Sequence, residues 1–202
     1  VLPCTSEFLQ GIRNLCDEHK LLLMLDEVQT GVGRTGRFFG YENAGIIPDA
    51  IAMAKGLGGG FPIGAIWISD KFSDLFTPGT HGSTYGGNPL ACTAAISVIE
   101  VMEKENLLAR VAEKGNKLKT SLSKLADKYP QHITEIRGQG YLLGIGMKKD
   151  PTDFISSLFE KGLITVPAGA NTVRIYPPFN VSDIEIQSAL EIIEPVSYTH
   201  LR

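Results

Sequence analysis

Residues 21–60 read LLLMLDEVQTGVGRTGRFFGYENAGIIPDAIAMAKGLGGG, with two apolar runs on either side of a Gly-rich segment. An apolar run at residues 21–25 ends at Asp26, and a second, shorter run at residues 51–54 ends at Lys55. A continuous apolar run without alternation is typical of a strand covered on both faces, so each run predicts a buried strand. Ligands of open α/β sheets bind beyond the carboxyl ends of the strands, which makes this carboxylate and this amine candidate site residues.

The side chains of Asp26 and Lys55 allow two interpretations from the local sequence. A charge at the edge of a core needs a partner, so one interpretation is a salt bridge between the two. In the other, burial lowers the pKa of the Lys55 amine from about 10.4 and makes the amine nucleophilic. The segment 27–45 between the two runs is rich in Gly and polar residues, which predicts an active-site loop rather than a packed element.

The composition limits the possible classes of function. The chain has 202 residues, of which 43% are hydrophobic and 20% charged, as in a globular protein. A net charge of -3 without a basic block gives no reason to expect nucleic acid, and no apolar run approaches the roughly 20 residues of a membrane span. The three cysteines form no CxxC pair and no metal-binding spacing, which favours a reduced, cytoplasmic protein without a structural metal.

Periodicity and capping signals predict alternating helices and strands in the first part of the chain. Ser6 can cap the first helix, and Asn88 with Pro89 can begin another. The strand at residues 64–69 is expected to be antiparallel or at a sheet edge. The predicted elements are helices at residues 7–19, 70–76 and 90–103 and strands at residues 21–25, 51–54 and 64–69.

A change of domain is expected near Lys104, and the pattern that follows predicts a compact α+β lobe. Pro195 is expected to end the last helix, and the segment 195–202 reads as a non-native tail. The chain begins at Val1 rather than at methionine, which suggests truncation. The predicted elements are helices at residues 105–128 and 152–161, strands at residues 133–137, 141–147, 163–166 and 172–176, and a final helix from Ser182 or Asp183.

Three long motifs carry a resemblance to a known family. They read LDEVQTGVGRTG at residues 25–36, PDAIAMAKGLGGGFPIGA at residues 48–65 and THGSTYGGNPLA at residues 80–91. Together they resemble the fold-type I, class III aminotransferases, which use pyridoxal phosphate, and the similarity covers the later half of such an enzyme. The resemblance implies that residues 1–103 form the remainder of a large cofactor-binding domain, with a mainly parallel sheet and helices, and that residues 104–194 form a small α+β domain.

The resemblance also assigns roles around the cofactor. Lys55 matches the amine that holds the cofactor and moves a proton during the reaction, and Asp26 matches the carboxylate that faces the pyridine nitrogen. Unit charges about 4 Å apart at an effective dielectric constant near 20 interact by roughly 4 kcal/mol, or about three pKa units, which would keep that nitrogen protonated. Val28 matches the residue packed on one ring face, and Gln29 matches the donor to the phenolic oxygen. Glu27 belongs to the same cofactor-binding segment without a separate role.

The same resemblance implies which residues bind the substrate and how the subunits assemble. Thr84 matches the residue that holds the cofactor phosphate across a dimer interface, which implies a homodimer with a shared active site. Ser83 matches a substrate contact. Arg174, in NTVRIYPPF, matches the arginine that binds the carboxylate of the amino donor or 2-oxo acid through two parallel hydrogen bonds. The alternative for this arginine is an ion pair at a strand end.

Two rival functions are open at this point. The glycines at residues 56 and 58–60 invite comparison with a nucleotide-binding loop, but the lysine precedes them, and the spacing matches neither GxGxxG nor a loop that ends in GK[ST]. The earlier half of the family's enzymes supplies further phosphate, ring and substrate contacts. The chain is therefore also compatible with a non-catalytic fragment that only associates with a partner half.

Overall fold

The computed structural model describes residues 1–169 and 171–199, which form two compact units. Cys4–Leu108 forms one unit, and Val1–Pro3 joins the chain from Ala109 onward in the other. The α/β fold class predicted from the sequence is confirmed, because helices alternate with strands along the chain. The assignment of residues 1–103 and 104–194 to the two domains of the family stays a prediction.

The sheet of the Cys4–Leu108 unit has three strands, β1 (Met24–Asp26), β2 (Ala50–Met53) and β3 (Ala65–Ile68). Their order is β1-β2-β3, with β1 parallel to β2 and β3 antiparallel to β2. The expected antiparallel strand is therefore present as β3. The sheet is mixed rather than mainly parallel, because one of its two pairings is antiparallel.

The first apolar run is a shorter and more exposed strand than the sequence predicts. Leu21 and Met24 are 57% and 65% exposed, whereas Leu23 is buried. The backbone N–H of Leu21 still bonds to Cys16 O, 2.8 Å away, at the end of helix α1 (Ser6–Glu18). The first residues of the run thus complete the turn after the helix, and burial on both faces was a wrong prediction for this strand.

Asp49 ties three elements of this unit together. Its Oδ2 accepts a hydrogen bond from Leu23 N at 2.9 Å and pairs with Arg13 Nη1 of α1 at 2.9 Å. Its backbone N–H donates to Leu23 O at 2.8 Å, and its carbonyl accepts from Ser69 N at 2.9 Å. This one residue therefore connects α1, the entry to β1 and the end of β3.

One of the two helix caps predicted from the sequence is observed, and the other helix is capped by a neighbouring residue instead. Helix α2 (Pro89–Lys104) begins as predicted, with Asn88 Oδ1 accepting from Ala91 N at 3.0 Å. Helix α1 is capped by Thr5 rather than Ser6, because the Thr5 hydroxyl accepts from Phe8 N at 3.2 Å and Ser6 is already helical. Three short 3₁₀ helices, Gly40–Ala44, Lys55–Gly58 and Asp70–Leu75, connect the other elements.

The unit that follows is an antiparallel sheet packed against helices. The sheet order is β4-β5-β7-β6, with all three pairings antiparallel. Its core includes Leu122, Ile145, Phe154 and Val173, all nearly inaccessible to solvent. The elements are α3 (Leu107–Lys128), β4 (Ile133–Gln139), β5 (Leu142–Met147), α4 (Thr152–Glu160), β6 (Val166–Pro167), β7 (Thr172–Ile175) and α5 (Asp183–Thr199).

Two predictions for this unit were wrong. The strand expected at residues 163–166 is only β6, because Leu163 N still bonds to Leu158 O at the end of α4 and Ile164 is exposed. Pro195 does not end the last helix, since α5 continues through it to Thr199. Val196, the next residue, is fully buried in the core. Residues 200–202 of the expected tail lie outside the described residues, and the non-native origin of residues 195–202 stays a prediction.

We expect Asp49→Asn to lower the free energy of unfolding by about 2 kcal/mol at neutral pH, because a nearly buried charged acceptor is lost. Burial alone raises the pKa of Asp49, but the hydrogen bond from Leu23 and the charge of Arg13 outweigh it and lower the pKa below its ordinary value of 3.8. A carboxyl with a lowered pKa stabilises the fold above its unfolded pKa, and this stability is lost as the pH falls through the folded value. The difference between the two proteins in urea titrations should therefore begin to shrink only below about pH 4 and should close below the folded pKa of Asp49.

The control for this prediction is Asp17→Asn, because Asp17 also pairs with Arg13 but its side chain is 63% exposed. An exposed pair of this kind contributes about 0.5 kcal/mol or less, so the control should match the wild type. Equal losses from the two variants, or a gap between Asp49→Asn and wild type that does not shrink in acid, would contradict the role of Asp49.

Candidate active site

The parallel pairing of β1 with β2 brings Asp26 and Lys55 to one edge of the sheet. Asp26 is the last residue of β1 and lies opposite Ala52 of β2. The backbone N–H of Glu27 extends this pairing by donating to Ala52 O at 2.8 Å. Because β2 ends at Met53, Lys55 follows it by two residues, beyond the same edge at which Asp26 lies.

The carboxylate of Asp26 is exposed at this edge and turns the chain that follows it. Val28 N donates to Asp26 Oδ1 at 2.9 Å, as in an Asx-turn. Val28 therefore lies in a turn rather than in a continuation of β1, and it is half-buried. The Asp26 carboxylate accepts no other hydrogen bond within the described residues, so most of its acceptor capacity is open to a ligand.

Lys55 begins a 3₁₀ helix in a left-handed backbone conformation with φ of +40°. Its Nζ donates a short hydrogen bond to Gln29 Oε1. Within the described residues it forms no ion pair with Asp26, so the salt bridge considered from the sequence is absent. Lys55 is also exposed rather than desolvated in this chain, which corrects the second expectation. The amine is held by the amide oxygen of Gln29.

Glu27 has a structural role that its place in the motif does not reveal. It is only 4% exposed, and its carboxylate accepts hydrogen bonds from the Thr30 hydroxyl, from Gly40 N at 3.0 Å and from Tyr41 N at 2.9 Å. These contacts fold the segment after β1 back on itself. The loop expected at residues 27–45 is therefore a packed element, and its residues 31–36 are buried. The role of Glu27 in cofactor binding stays a prediction.

Backbone strain is concentrated where this loop meets Lys55. Val32 has φ of +55° and is 1% exposed, although β-branched residues rarely adopt left-handed conformations. A Cβ added to Gly56 would lie 3.4 Å from Val32 Cβ. The loop therefore packs directly beside the residue that follows Lys55, and the surrounding contacts hold both Val32 and Lys55 in costly conformations.

The structure brings some of the predicted site residues together and leaves others apart. Asp26, Val28, Gln29 and Lys55 lie at one sheet edge. Ser83 and the adjacent Thr84 lie on an exposed segment before α2, and within the described part of the chain no hydrogen bond joins their side chains to that edge. Their assigned roles stay predictions.

Arg174 lies in the other unit, on β7, opposite Gly144 of β5 and Val166 of β6. It is half-buried and lines a largely apolar cavity of about 410 Å³. Its Nε is buried and forms no hydrogen bond, and no acidic side chain among the described residues pairs with it. The surface ion pair considered from the sequence is thus absent, and the guanidinium can bind a carboxylate.

The groups at the sheet edge fit pyridoxal phosphate. A primary amine can join an aldehyde, and a carboxylate can neutralise a pyridinium nitrogen. Gln29 uses only its Oε1 in the contact with Lys55, so its amide N–H groups can donate to a phenolic oxygen. Amine, carboxylate and amide donor therefore occur together at the position where an open α/β sheet binds ligands.

Residues 1–196 match the family described as Aminotransferase class-III. The chain belongs to the class III aminotransferases. A relative among the curated proteins is the acetylornithine aminotransferase of Nostoc sp., 46% identical over 198 residues, which cover 96% of this chain and 46% of the relative. The acetylornithine aminotransferase of Gloeobacter violaceus is 45% identical over 197 residues, covering 97% of this chain and 49% of that protein.

Solved structures of aminotransferases have the same fold. An ornithine aminotransferase from Plasmodium yoelii matches with a TM-score of 0.93 at 32% identity, covering 100% of this chain and 54% of that one. An acetylornithine aminotransferase from Elizabethkingia anophelis matches with a TM-score of 0.90 at 34% identity, covering 96% and 50%. This class III chain thus spans about half the length of the relatives it matches.

Other kinds of site have no support in the described structure. In residues 1–169 and 171–199, no three His, Cys, Asp or Glu side chains are grouped so that they could hold a metal ion. No helix in the described part of the chain is both long and apolar enough to cross a membrane. The cysteines Cys4, Cys16 and Cys92 are free thiols.

Sequence reasoning missed the residues that hold the site in place. Asp49 was not among the predicted site residues, and Glu27 was given no separate role. The donors to the Glu27 carboxylate at Gly40 and Tyr41 are backbone N–H groups 13 and 14 residues further along the chain. Backbone donors leave no mark on residue identity, so the only available signal was a second acidic residue directly after Asp26 at the end of a strand.

We expect Glu27→Gln to lower the free energy of unfolding by about 3 kcal/mol, because the introduced amide N–H₂ must face a buried backbone donor. The amides of Gly40 and Tyr41 should exchange hydrogen much faster in the variant than in the wild type. Urea titration and hydrogen exchange detected by mass spectrometry measure the two effects in the full-length gene product.

The matched control is Glu42→Gln in the same loop. Glu42 also accepts a backbone hydrogen bond, from Phe39 N at 2.9 Å, but it is exposed. Its replacement should change the stability by about 0.5 kcal/mol or less. If Glu27→Gln behaves like this control, the packed loop does not depend on the buried carboxylate.

Proposed function

We propose that this chain is part of a pyridoxal-phosphate-dependent aminotransferase that transfers an amino group between N2-acetylornithine and 2-oxoglutarate. The observation that supports this most is the placement of Asp26 and Lys55 beyond one edge of the sheet, with Gln29 bound to the amine. A class III aminotransferase needs these three chemical groups around its cofactor. A nucleotide-binding site does not require a lysine before the glycines, so this alternative does not account for Lys55.

The cofactor supplies an electron sink that stabilises negative charge at the substrate's Cα when it is bound. The residues of this chain hold and orient it. Asp26 is exposed and has most of its acceptor capacity open, so it can keep the ring nitrogen protonated. Gln29 donates to the phenolic oxygen, and Val28 packs beside the ring.

Lys55 has two tasks in this proposal. Its amine would hold the cofactor through the aldehyde carbon, and as a free base it would take or give a proton at the substrate's Cα. The strained backbone at Lys55, supported by the buried loop around Val32, fixes the direction from which the amine approaches. Gln29 holds the amine in its resting position.

Substrate recognition is assigned to Arg174 and Ser83, and the cofactor phosphate to Thr84. The buried, unpaired Nε of Arg174 supports a role in binding the α-carboxylate of the amino donor and of the 2-oxo acid. Ser83 and Thr84 are exposed with free hydroxyl groups among the described residues, which supports contacts with groups outside this chain. We therefore propose a homodimer in which Thr84 reaches the active site of the other subunit.

The choice of amino donor rests on the curated relatives, several of which are named acetylornithine aminotransferase at 41–46% identity. The corresponding role is in arginine biosynthesis in the cytoplasm, and the three free thiols agree with a reduced compartment. Succinylornithine, ornithine and 4-aminobutyrate are the alternative donors. Assays of the full-length gene product with all four donors, side by side and with 2-oxoglutarate, decide among them, and acetylornithine should give the highest kcat/KM.

A second candidate is that the 202-residue chain alone does not catalyse and only associates with a partner half. The exposure of Lys55 and of the apolar residues around β1 favours this for the isolated chain, because an active site of this class requires exclusion of water. The two candidates are compatible, since an inactive piece can belong to an active enzyme. Purified chain of 202 residues should show no transamination under conditions in which the full-length product is active.

We expect the full-length gene product with pyridoxal phosphate to absorb visible light, and borohydride to fix the cofactor on Lys55. Digestion and mass spectrometry locate the modified peptide. Lys55→Ala should remove both the absorption and the label. Asp26→Asn should keep the label but reduce kcat by about a thousandfold, which corresponds to the roughly 4 kcal/mol interaction of two nearby charges.

Lys71→Ala serves as the control in the labelling experiment, because Lys71 lies on the 3₁₀ helix Asp70–Leu75 of the same unit and has no assigned role. It should leave absorption, label and rate unchanged. A colourless wild-type protein, or a label on another lysine, would refute the proposed function.

A further inference from the structure

Two arginines lie on the same face of the antiparallel sheet with a glycine between them. Arg137 of β4 pairs with Gly144 of β5, and Gly144 pairs with Arg174 of β7. Residues that pair across neighbouring strands point to the same face. In the adjacent row, Gly146 of β5 pairs with Thr172 of β7, so the middle strand contributes only glycines to both rows of this face.

Arg137 reaches across β5 to the far strand of this face. Its Nη2 donates to Thr172 Oγ1 at 2.7 Å, although β5 lies between the two residues and separates their strands by roughly 10 Å. Its Nη1 pairs with Glu135 Oε1 at 2.5 Å. A Cβ on Gly144 would lie 3.0 Å from Thr172 Cγ2 and 3.1 Å from Val1 Cβ, so a side chain at this position would press on Thr172.

The contact fixes the strand that carries Arg174. Thr172 is fully buried and begins β7, two residues before Arg174 and on the same face. The backbone at this point is also bonded, since Ala168 N donates to Thr172 O at 2.9 Å. Arg137 therefore restrains a residue whose displacement would move the base of the Arg174 side chain.

We propose that Arg137 is a positioning residue for Arg174: through Thr172 it holds β7 so that the Arg174 guanidinium meets the substrate carboxylate at the productive angle. The inference rests on the proposed function, because it takes Arg174 as the group that binds this carboxylate. A bidentate contact depends on orientation, so a small displacement of β7 weakens carboxylate binding. Arg137 also adds positive charge on the face that receives the anion.

The test compares Thr172→Val, which removes the hydroxyl but keeps the shape, with Thr172→Ser, which keeps the hydroxyl. In the full-length product with pyridoxal phosphate, Thr172→Val should raise the KM for 2-oxoglutarate about tenfold, the size expected for a lost hydrogen bond to a charged group. The kcat should stay within about twofold, because the reacting atoms keep their partners. Thr172→Ser should behave as the wild type.

A binding measurement makes the test independent of turnover. Calorimetry with glutarate, an unreactive dicarboxylate, should show a dissociation constant raised about tenfold in Thr172→Val and in Arg137→Lys. Glu135→Gln is the matched control, since Glu135 pairs with Arg137 and is about half exposed. It should leave both KM and glutarate binding unchanged.

The outcomes separate the inference from the proposed function. An active wild type with unchanged KM and glutarate affinity in Thr172→Val overturns the inference and leaves the proposed function standing. A wild type that transaminates none of the donors overturns the proposed function. In that case the glutarate dissociation constants of the variants and the wild type test the role of Arg137 without any measurement of turnover. If Thr172→Val has a much lower Tm than the wild type, the test uses Arg137→Lys instead. Unchanged glutarate binding in Arg137→Lys then overturns the inference.

Discussion

The candidate site depends on the parallel pairing of two short strands. β1 contributes three residues and β2 four, yet their common direction places the residues that follow both strands at one edge of the sheet. If β1 ran antiparallel to β2, Asp26 and Lys55 would lie at opposite ends. Such short strands do not hold their register alone, and the carboxylates of Glu27 and Asp49 anchor the segments on either side of the pairing.

The two adjacent carboxylates of the site, Glu27 and Asp26, have different roles. Glu27 is buried and saturated with hydrogen bonds, whereas its neighbour Asp26 is exposed and has acceptor capacity to spare. A saturated carboxylate cannot serve a ligand without breaking the loop that it holds. Of the two adjacent acidic residues in the LDEVQ motif, Glu27 therefore supports the loop and Asp26 is available to a ligand. This is possible because the two side chains leave the end of β1 in different directions.

Much of this arrangement could be predicted from the sequence, for physical reasons that differ between elements. The helix start at Asn88 and Pro89 was predictable because capping is a local hydrogen bond. The placement of Asp26 and Lys55 was predictable because it follows from strand direction. The exposure of the residues before β1, the continuation of α5 through Pro195 and the reach of Arg137 to Thr172 were not, because each depends on contacts between residues distant in sequence.

The outer edge of β1 has a practical consequence for work with this polypeptide. Among the described residues, β1 pairs on one side only, and exposed apolar side chains at Leu22 and Met24 lie beside its free backbone groups. Unprotected strand edges of this kind recruit strands from other molecules and start aggregates. Handling the 202-residue polypeptide by itself therefore calls for dilute samples and solubilising fusion partners, with light scattering as the routine check on its condition.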